Sequence, residues 1–367
     1  MRVDVTTYAH RALRERGHAP DAAQAAALAQ LQRAFDSWVA YKSRRSTAVR
    51  RLLVHPDLPR GLYMWGGVGR GKSMLMDAFF VSVPVVRKTR LHFHEFMREV
   101  HRELAALQGI QDPLRELARR IARRFRLICF DEFHIADVTD AMILDRLLEG
   151  LFDEGVVLMA TSNFHPDALY PDGLHRDRIL PAIERIKHHM DVIQVDAGTD
   201  YRLRAMRGLT LYHTPLGDAA EDAMEQAFEL LAEAADEDPT LHIEHREVVA
   251  LRRAGGVIWF DFHTLCNTAR SQNDYLEIAA DFHTVLLSGV PLMTPELASA
   301  ARRFTLLVDV LYDRNIKLVV SAAVAPAQLY QAGPLAHEFA RTVSRLLEMQ
   351  TDAYLERERR EVLTALT

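Results

Sequence analysis

The stretch GLYMWGGVGRGKS, which runs from Gly61 to Ser73, decides the fold of this chain. Its last eight residues fit the pattern G-x-x-x-x-G-K-[ST], and the apolar run before them is typical of a buried strand. Glycines let such a loop turn its backbone N–H groups inward around a phosphate, and the helix that follows adds partial positive charge. The stretch therefore predicts a strand, a phosphate-binding loop and a helix, in that order.

The residues of this loop have predicted roles in holding a nucleoside triphosphate. Lys72 should reach the β- and γ-phosphates, and the hydroxyl of Ser73 should bind Mg²⁺. Lys72 is predicted to be a catalytic residue as well. The residues predicted to bind the nucleotide here are Gly66, Gly67, Val68, Gly69, Arg70, Gly71, Lys72, Ser73 and Met74.

A second strand-like run, Leu127–Phe130, is followed directly by the carboxylates of Asp131 and Glu132. A buried strand that ends in this way delivers a carboxylate to the edge of a sheet where ligands bind. Asp131 is predicted to hold Mg²⁺, directly or through water, and Glu132 is predicted to be the base that polarises the attacking water. The pair favours water over a small-molecule hydroxyl as the acceptor.

The run Val156–Thr161 predicts another strand, and this one ends in small polar residues. Asn163, just beyond it, is predicted to be catalytic, either by orienting the attacking water or by sensing the γ-phosphate. The alternative is that Asn163 is only a turn residue ahead of Pro166.

Four arginines are candidates for stabilising charge on the γ-phosphate. Arg176 or Arg178 could reach a nucleotide on a neighbouring subunit, which requires a homo-oligomer, and Arg176 is the one that we predict. The alternative for Arg176 is a surface ion pair with Asp177. Arg341 or Arg345, in the tail, could lie over the γ-phosphate of the same chain, and Arg345 is predicted to bind the nucleotide.

Strand-like runs alternate with helical patterns over residues 56–204. This alternation, with continuous apolar strands, predicts an α/β fold of the P-loop NTPase class, in which a parallel sheet carries helices on both faces. Residues 1–55 are predicted to form an N-terminal helical segment. Residues 205–367 are predicted to form a C-terminal α/β region that ends in one long helix.

One internal similarity joins the two halves of the chain. Leu147–Leu158 resembles Leu307–Leu318, and Cys129–His134 resembles Trp259–His263. The second copy has no glycine-rich loop of its own. A degenerate duplication would explain the similarity, but shared helix–turn–strand patterning explains it more cheaply.

Composition bounds the class of protein and its surroundings. The 367 residues are 49% hydrophobic and carry a formal net charge of −5, which suits a globular protein and not a dedicated nucleic-acid binder. Two distant cysteines, Cys129 and Cys266, predict a reducing compartment. Because the sequence has no secretory or membrane-spanning run either, the predicted location is cytoplasmic.

Taken together, these motifs resemble the ZapE family of cell-division ATPases, which is related to the mitochondrial AFG-type ATPases of the AAA+ class. The resemblance covers nearly the whole length of the chain. Its clearest segments are Gly61–Asp77, His92–Met97, Cys129–Phe133, Ala160–Asn163 and Arg341–Leu346. The chain departs from the family at His134, where Gln is usual, and at Ser73, where Thr is frequent.

The resemblance implies an AAA+-like fold, ATP hydrolysis and, in bacteria, an ATP-dependent action that destabilises or reorganises FtsZ polymers at the division septum. One alternative is a chaperone or protease adaptor for membrane-protein quality control, as in the mitochondrial relatives. Another is a nucleic-acid-linked ATPase of the loader type, which the basic stretches Lys42–Arg51 and Arg115–Arg126 permit. The acidic net charge argues against a nucleic-acid partner.

Overall fold

The computed structural model divides the chain into two units, Met1–Asp200 and Tyr201–Thr367. The residues that it describes are 4–15, 19–67, 69–135, 138–171, 175–195, 203, 206–232, 236–244, 246–357 and 359–360. Across these ranges we find no helix that is both long enough and apolar enough to span a bilayer. The segment boundaries predicted at residues 55 and 204 remain predictions.

The first unit is built on a five-stranded parallel sheet. Its strands are β1 (Gly61–Trp65), β2 (Lys88–His92), β3 (Leu127–Asp131), β4 (Val157–Ser162) and β5 (Met190–Gln194). They lie side by side in the order β2-β3-β4-β1-β5. Strands β3 and β4 are buried along their whole length, which explains their continuous apolar runs, because helices cover both faces of the sheet.

Two layers of helices cover this sheet. The helices are α1 (Val5–Glu15), α2 (Ala22–Arg44), α3 (Ala48–Leu53), α4 (Lys72–Ser82), α5 (Phe93–Ala106), α6 (Pro113–Arg124), α7 (Val138–Asp153) and α8 (Leu180–His189). Helices α1, α2 and α4 share one apolar core with one face of the sheet, and α5 to α8 share a second core with the other face. The predicted parallel sheet with helices on both faces is confirmed.

The second unit contains another five-stranded sheet and a separate hairpin. Its strands are β6 (Tyr212–His213), β7 (Thr240–Ile243), β8 (Arg246–Val249), β9 (Arg252–Ala254), β10 (Val257–Asp261), β11 (Thr284–Val290) and β12 (Lys317–Ala322). The sheet has the order β6-β12-β11-β10-β9, in which only β9 is antiparallel to its neighbour, and β7 pairs with β8.

The tail of the second unit is not one long helix. The helices of this unit are α9 (Asp218–Leu231), α10 (Phe262–Cys266), α11 (Gln272–Asp281), α12 (Ala298–Asp313), α13 (Ala336–Glu348) and α14 (Asp352–Leu355). The hydroxyl of Thr351 accepts a hydrogen bond from the backbone N–H of Tyr354, which starts α14 as a new helix. A single helix was predicted because the helical periodicity of the sequence continues through Thr351, but the cap there starts a separate helix.

The second sheet repeats the strand order of the first. Strand β1 leads into α4 and lies beside β4, then β3, then β2, whereas β6 leads into α9 and lies beside β12, then β11, then β10. The similar segments Leu147–Leu158 and Leu307–Leu318 occupy the same place in the two units, α7–β4 and α12–β12. Cys129–His134 and Trp259–His263 do not correspond, because the first contains β3 and the second contains the counterpart of β2.

Candidate nucleotide-binding site

The predicted phosphate-binding loop lies between the end of β1 and the start of α4, and its first glycine has no room for a side chain. Gly66 has a φ of 154°, and a Cβ atom there would lie 2.3 Å from the carbonyl oxygen of Val195. The N–H of Gly66 donates to the carbonyl of Ser162 at 3.2 Å. The loop thus leaves the sheet between the ends of β4 and β5. Val68, predicted to bind the nucleotide, lies outside the described residues.

The end of the loop is held by helix α2. Gly71 adopts a left-handed φ of 76° directly before α4 begins. The side-chain amide of Gln24, which is 2% exposed, donates to the carbonyl of Arg70 at 3.1 Å. A Cβ atom on Gly71 would lie 2.8 Å from that same amide nitrogen. Glycine is therefore required here both by backbone conformation and by the close approach of Gln24.

Lys72 joins the loop to the end of β4. It is 8% exposed, and its ammonium donates to the carbonyls of Gly66 and Gly67, both at 2.7 Å. It also donates to the side-chain oxygen of Asn163 at 3.1 Å. The structure therefore brings together the predicted phosphate-binding lysine and the predicted water-orienting asparagine, which are far apart in sequence.

Arg90 donates hydrogen bonds to both of the residues predicted to hold Mg²⁺, Asp131 and Ser73. Asp131 ends β3 and is 3% exposed, and its two carboxylate oxygens accept from Nε and Nη2 of Arg90 at 2.6 and 3.3 Å. Nη2 of Arg90 also donates to the backbone carbonyl of Ser73 at 3.1 Å. Carboxylate and hydroxyl oxygens are ligands that Mg²⁺ accepts, so the residues present fit the ion.

Glu132 occupies a backbone conformation that is unusual for a residue with a side chain. Its φ is 52°, its N–H donates to the hydroxyl of Thr161 at 3.2 Å, and its carbonyl accepts from Nδ1 of His134 at 2.9 Å. Such a left-handed residue costs roughly 1–3 kcal/mol and persists only where its surroundings hold it, which is common at functional sites. His134, which departs from the family pattern, thus helps to hold the turn that carries Glu132.

The two arginines after β4 differ in their availability. Arg176 donates to three backbone carbonyls of its own chain, those of Asp167, Leu169 and Tyr170, at 2.7, 2.9 and 3.3 Å. The side chain of Arg178 is 67% exposed and lies 3.7 Å from the carboxylate of Asp177. The geometry therefore favours Arg178 over Arg176 for reaching another molecule.

The two tail arginines are paired with acidic residues of their own unit. Arg345 lies 2.6 Å from Asp309 and 3.2 Å from Asp313, with its guanidinium over the ring of Tyr312. Arg341 also contacts Asp309, at 2.6 Å. These contacts attach α13 to α12. The predicted binding of a nucleotide by Arg345 remains a prediction.

The corresponding edge of the second sheet encloses a cavity of about 610 Å³. It lies at the carboxyl ends of β10, β11 and β12, next to the start of α9. Its carboxylates belong to Glu221, Asp222, Glu225 and Asp261. Among the described residues that line it there is no lysine or arginine, so its charge is opposite to that needed to bind phosphate.

Four residues that shape the first site were missed by sequence reasoning, namely Tyr8, Gln24, Asp77 and Arg90. Gln24 contacts the loop, Arg90 contacts α4 and the end of β3, and Tyr8 contacts Asp77, which lies on α4 and binds Arg90. The one available signal was the charge of Arg90 inside a short strand. Its partners could not be identified before the order of the strands was known.

Comparison with known proteins bears on the whole chain. The model of the AFG1-like ATPase family matches residues 3–358. The "Cell division protein ZapE" of Escherichia coli (strain K12) is 51% identical over 300 residues, which are 82% of this chain and 80% of that protein. "Lactation elevated protein 1 homolog B" of Danio rerio is 36% identical over 346 residues, with coverage of 82% and 69%.

Solved structures give only a weak likeness. Domain III of the Thermotoga maritima replication initiation protein DnaA is 20% identical, and the match covers 45% of this chain and 67% of that one. The TM-score is 0.31.

Proposed function

Because the chain belongs to the family of AFG1-like ATPases, and is therefore an ATPase, we propose that it couples ATP hydrolysis to remodelling of a protein assembly in cell division. The observation that carries the proposal is the convergence of Lys72, Asn163, Asp131 and Glu132 on one edge of the first sheet. The relative named as a cell division protein supports the choice of process.

ATP would bind with its phosphates in the loop formed by residues 66–73. The ammonium of Lys72 now donates to two loop carbonyls, and phosphate oxygens would replace these as acceptors, because a charged acceptor binds an ammonium more strongly. Ser73 and Asp131 would hold Mg²⁺, which would neutralise part of the phosphate charge.

Hydrolysis would rely on Glu132 and Asn163. The carboxylate of Glu132 would accept a proton from the attacking water, and the side chain of Asn163 would orient that water. The strained turn at Glu132 supports this role. The backbone N–H of Glu132 is held by Thr161 and its carbonyl by His134, and strain that is held in this way is common at functional sites.

We propose further that the protein works as a homo-oligomer with Arg178 acting on the nucleotide of a neighbouring subunit. Arg178 is exposed, whereas Arg176 is used to hold the turn that presents it. Mixing experiments test this proposal. Inactive Lys72→Ala subunits carry an intact Arg178, so adding them to Arg178→Ala subunits should restore part of the ATPase activity. A mixture as inactive as its components would contradict the role in trans.

The target that we propose is the FtsZ polymer, on the strength of the family resemblance. The experiment is sedimentation of GTP-assembled FtsZ with this protein, with and without ATP. Lys72→Ala serves as the variant that should bind ATP poorly, and Glu132→Gln as the variant that should bind ATP but hydrolyse it slowly.

We expect ATP to change the pelleted fraction of FtsZ with the unaltered protein and not with Lys72→Ala. With Glu132→Gln we expect both proteins in the pellet, because this variant should bind ATP and FtsZ but should not complete the hydrolysis that releases them. If the protein hydrolyses ATP and the pelleted fraction does not change, FtsZ is not the target. Association with a protease or a membrane-protein insertase would then be measured next.

A further inference from the structure

We propose that Arg90 is a positioning residue of the Mg²⁺ site and that helix α1 holds it in place through Tyr8 and Asp77. The inference rests on the proposed function, since it takes Ser73 and Asp131 as the residues that hold the ion. It assigns a role to three residues, Tyr8, Asp77 and Arg90, for which the sequence predicted none.

The position of Arg90 gives it access to both Mg²⁺-binding residues. It lies in the middle of β2, paired with Cys129 in the neighbouring strand β3, and its side chain is 12% exposed. Its guanidinium contacts Asp131 at the end of β3 and the carbonyl of Ser73 at the start of α4. These contacts fix the end of a strand against the first turn of a helix.

A guanidinium is suited to this role in a way that an ammonium is not. Its N–H groups diverge in one plane at fixed angles, so a single side chain can bond several acceptors without moving. Arg90 uses them for Asp131, for Ser73 and, through Nη1 at 3.0 Å, for Asp77. Lysine at this position could not make the paired contact with Asp131 and reach α4 at the same time.

Asp77 extends the network to the N-terminal helix. It lies one turn after Ser73 on α4, and one of its carboxylate oxygens accepts from Arg90. The other accepts from the hydroxyl of Tyr8, on α1, at 3.1 Å. A continuous path of hydrogen bonds therefore runs from α1 through Asp77 and Arg90 to Asp131.

The consequence is a difference in Mg²⁺ affinity and not simply in stability. Groups that hold metal ligands in place typically change metal affinity by about 10- to 100-fold when they are removed. Loss of Arg90 should release the carboxylate of Asp131 from α4 and so weaken binding of Mg²⁺ with the nucleotide. Binding of the nucleotide alone should be retained, because the contacts of Lys72 and Gln24 with the loop do not involve Arg90.

The test is binding of a fluorescent N-methylanthraniloyl derivative of ATP, measured in EDTA and then over a titration with MgCl₂. Arg90→Lys should raise the Mg²⁺ concentration for half-maximal binding about tenfold, with affinity in EDTA changed less than about twofold. The matched control is Arg60→Lys, at an exposed arginine paired with Asp191, and it should behave as the unaltered protein.

Tyr8→Phe removes one hydroxyl and keeps the ring, so it tests the role of α1 even if Arg90→Lys fails to fold. It should raise the half-maximal Mg²⁺ concentration about threefold, less than Arg90→Lys, because Tyr8 reaches the site only through Asp77 and Arg90 and the substitution removes no direct contact with Asp131. Combined with Arg90→Lys it should add little, because Tyr8 acts through Arg90. Additive shifts, or none for Tyr8→Phe, would overturn the role of α1.

Two results would overturn the role of Arg90. One is an Mg²⁺ midpoint for Arg90→Lys equal to that of Arg60→Lys. The other is an equal loss of binding with and without Mg²⁺, together with a lower melting temperature, which would show structural damage only. If the unaltered protein binds the nucleotide equally with and without Mg²⁺, the proposed metal site fails and this inference fails with it.

Discussion

The two units share a strand order, but the charged groups at the carboxyl ends of their strands have opposite sign. In the first, β1 leads through a glycine-rich loop into α4, which begins at Lys72. In the second, β6 leads through Thr214, Pro215, Leu216 and Gly217 into α9, which begins at Asp218. One edge holds a buried lysine against the loop, whereas the other holds a cavity lined by carboxylates.

In both units the fold provides the sheet edge at the carboxyl ends of the strands. The loop that joins the first strand to the first helix determines what can bind at that edge. The carboxyl ends of parallel strands form a crevice in both units, but only a loop with inward N–H groups and a cation can hold phosphate. The agreement extends to four strands in the same order, although only one of the two pairs of similar segments, Leu147–Leu158 and Leu307–Leu318, occupies the same place in both units.

The prediction with the greatest effect compares the loss of one carboxylate at each of the two sheet edges. If Glu132 is the base, as we propose, Glu132→Gln should lower kcat for ATP hydrolysis about 100-fold or more while keeping ATP binding, because the substitution removes the proton acceptor and preserves the fold. Glu221→Gln, in the cavity of the second unit, should change kcat less than about twofold. Steady-state ATPase assays with parallel binding measurements check this. Comparable losses from both changes would show that the second edge also takes part in hydrolysis.

A second prediction compares the loop glycines, Gly66 and Gly217. Both have positive φ, 154° and 147°, but only Gly66 would meet backbone atoms if it carried a Cβ atom. Gly66→Ala should lower the free energy of unfolding by about 3 kcal/mol. Gly217→Ala should lower it by about 1 kcal/mol, because there the alanine is disfavoured only by the positive φ and meets no neighbouring atom. Calorimetric melting of each variant checks the order. A more damaging Gly217→Ala would mean that the second loop is the tighter one.

The third prediction has the smallest effect and concerns the pH dependence of stability, which we expect to depend on one histidine in each unit. Burial lowers the pKa of His189 in the first unit and of His213 in the second. The unfolded chain, with a histidine pKa of about 6.5, binds more protons just below that pH, so stability falls as pH drops through this range. His189→Asn or His213→Asn should make the melting temperature less sensitive to pH between 7 and 5. Slopes equal to that of the unaltered protein would contradict this.

Much of the first unit could be predicted from the sequence, because its signals are local. The loop from Gly66 to Ser73 fits a pattern in which three of its four glycines, Gly66, Gly69 and Gly71, have positive φ. The strand before Asp131 is a continuous apolar run because both faces of the sheet are covered. The tail was misjudged for a related reason. Periodicity continues through Thr351, where a single hydroxyl cap starts a new helix.

Spacing and composition were therefore enough to predict a phosphate-binding site and to locate the strands that lead to it. Which distant groups meet at that site depends on how the strands and helices pack. Arg90 reaches Asp131 because β2 lies beside β3, and Gln24 reaches the loop because α2 packs on the same face as α4. Strand order and helix packing arise from burial summed over the whole sheet, so no single stretch of sequence encodes them.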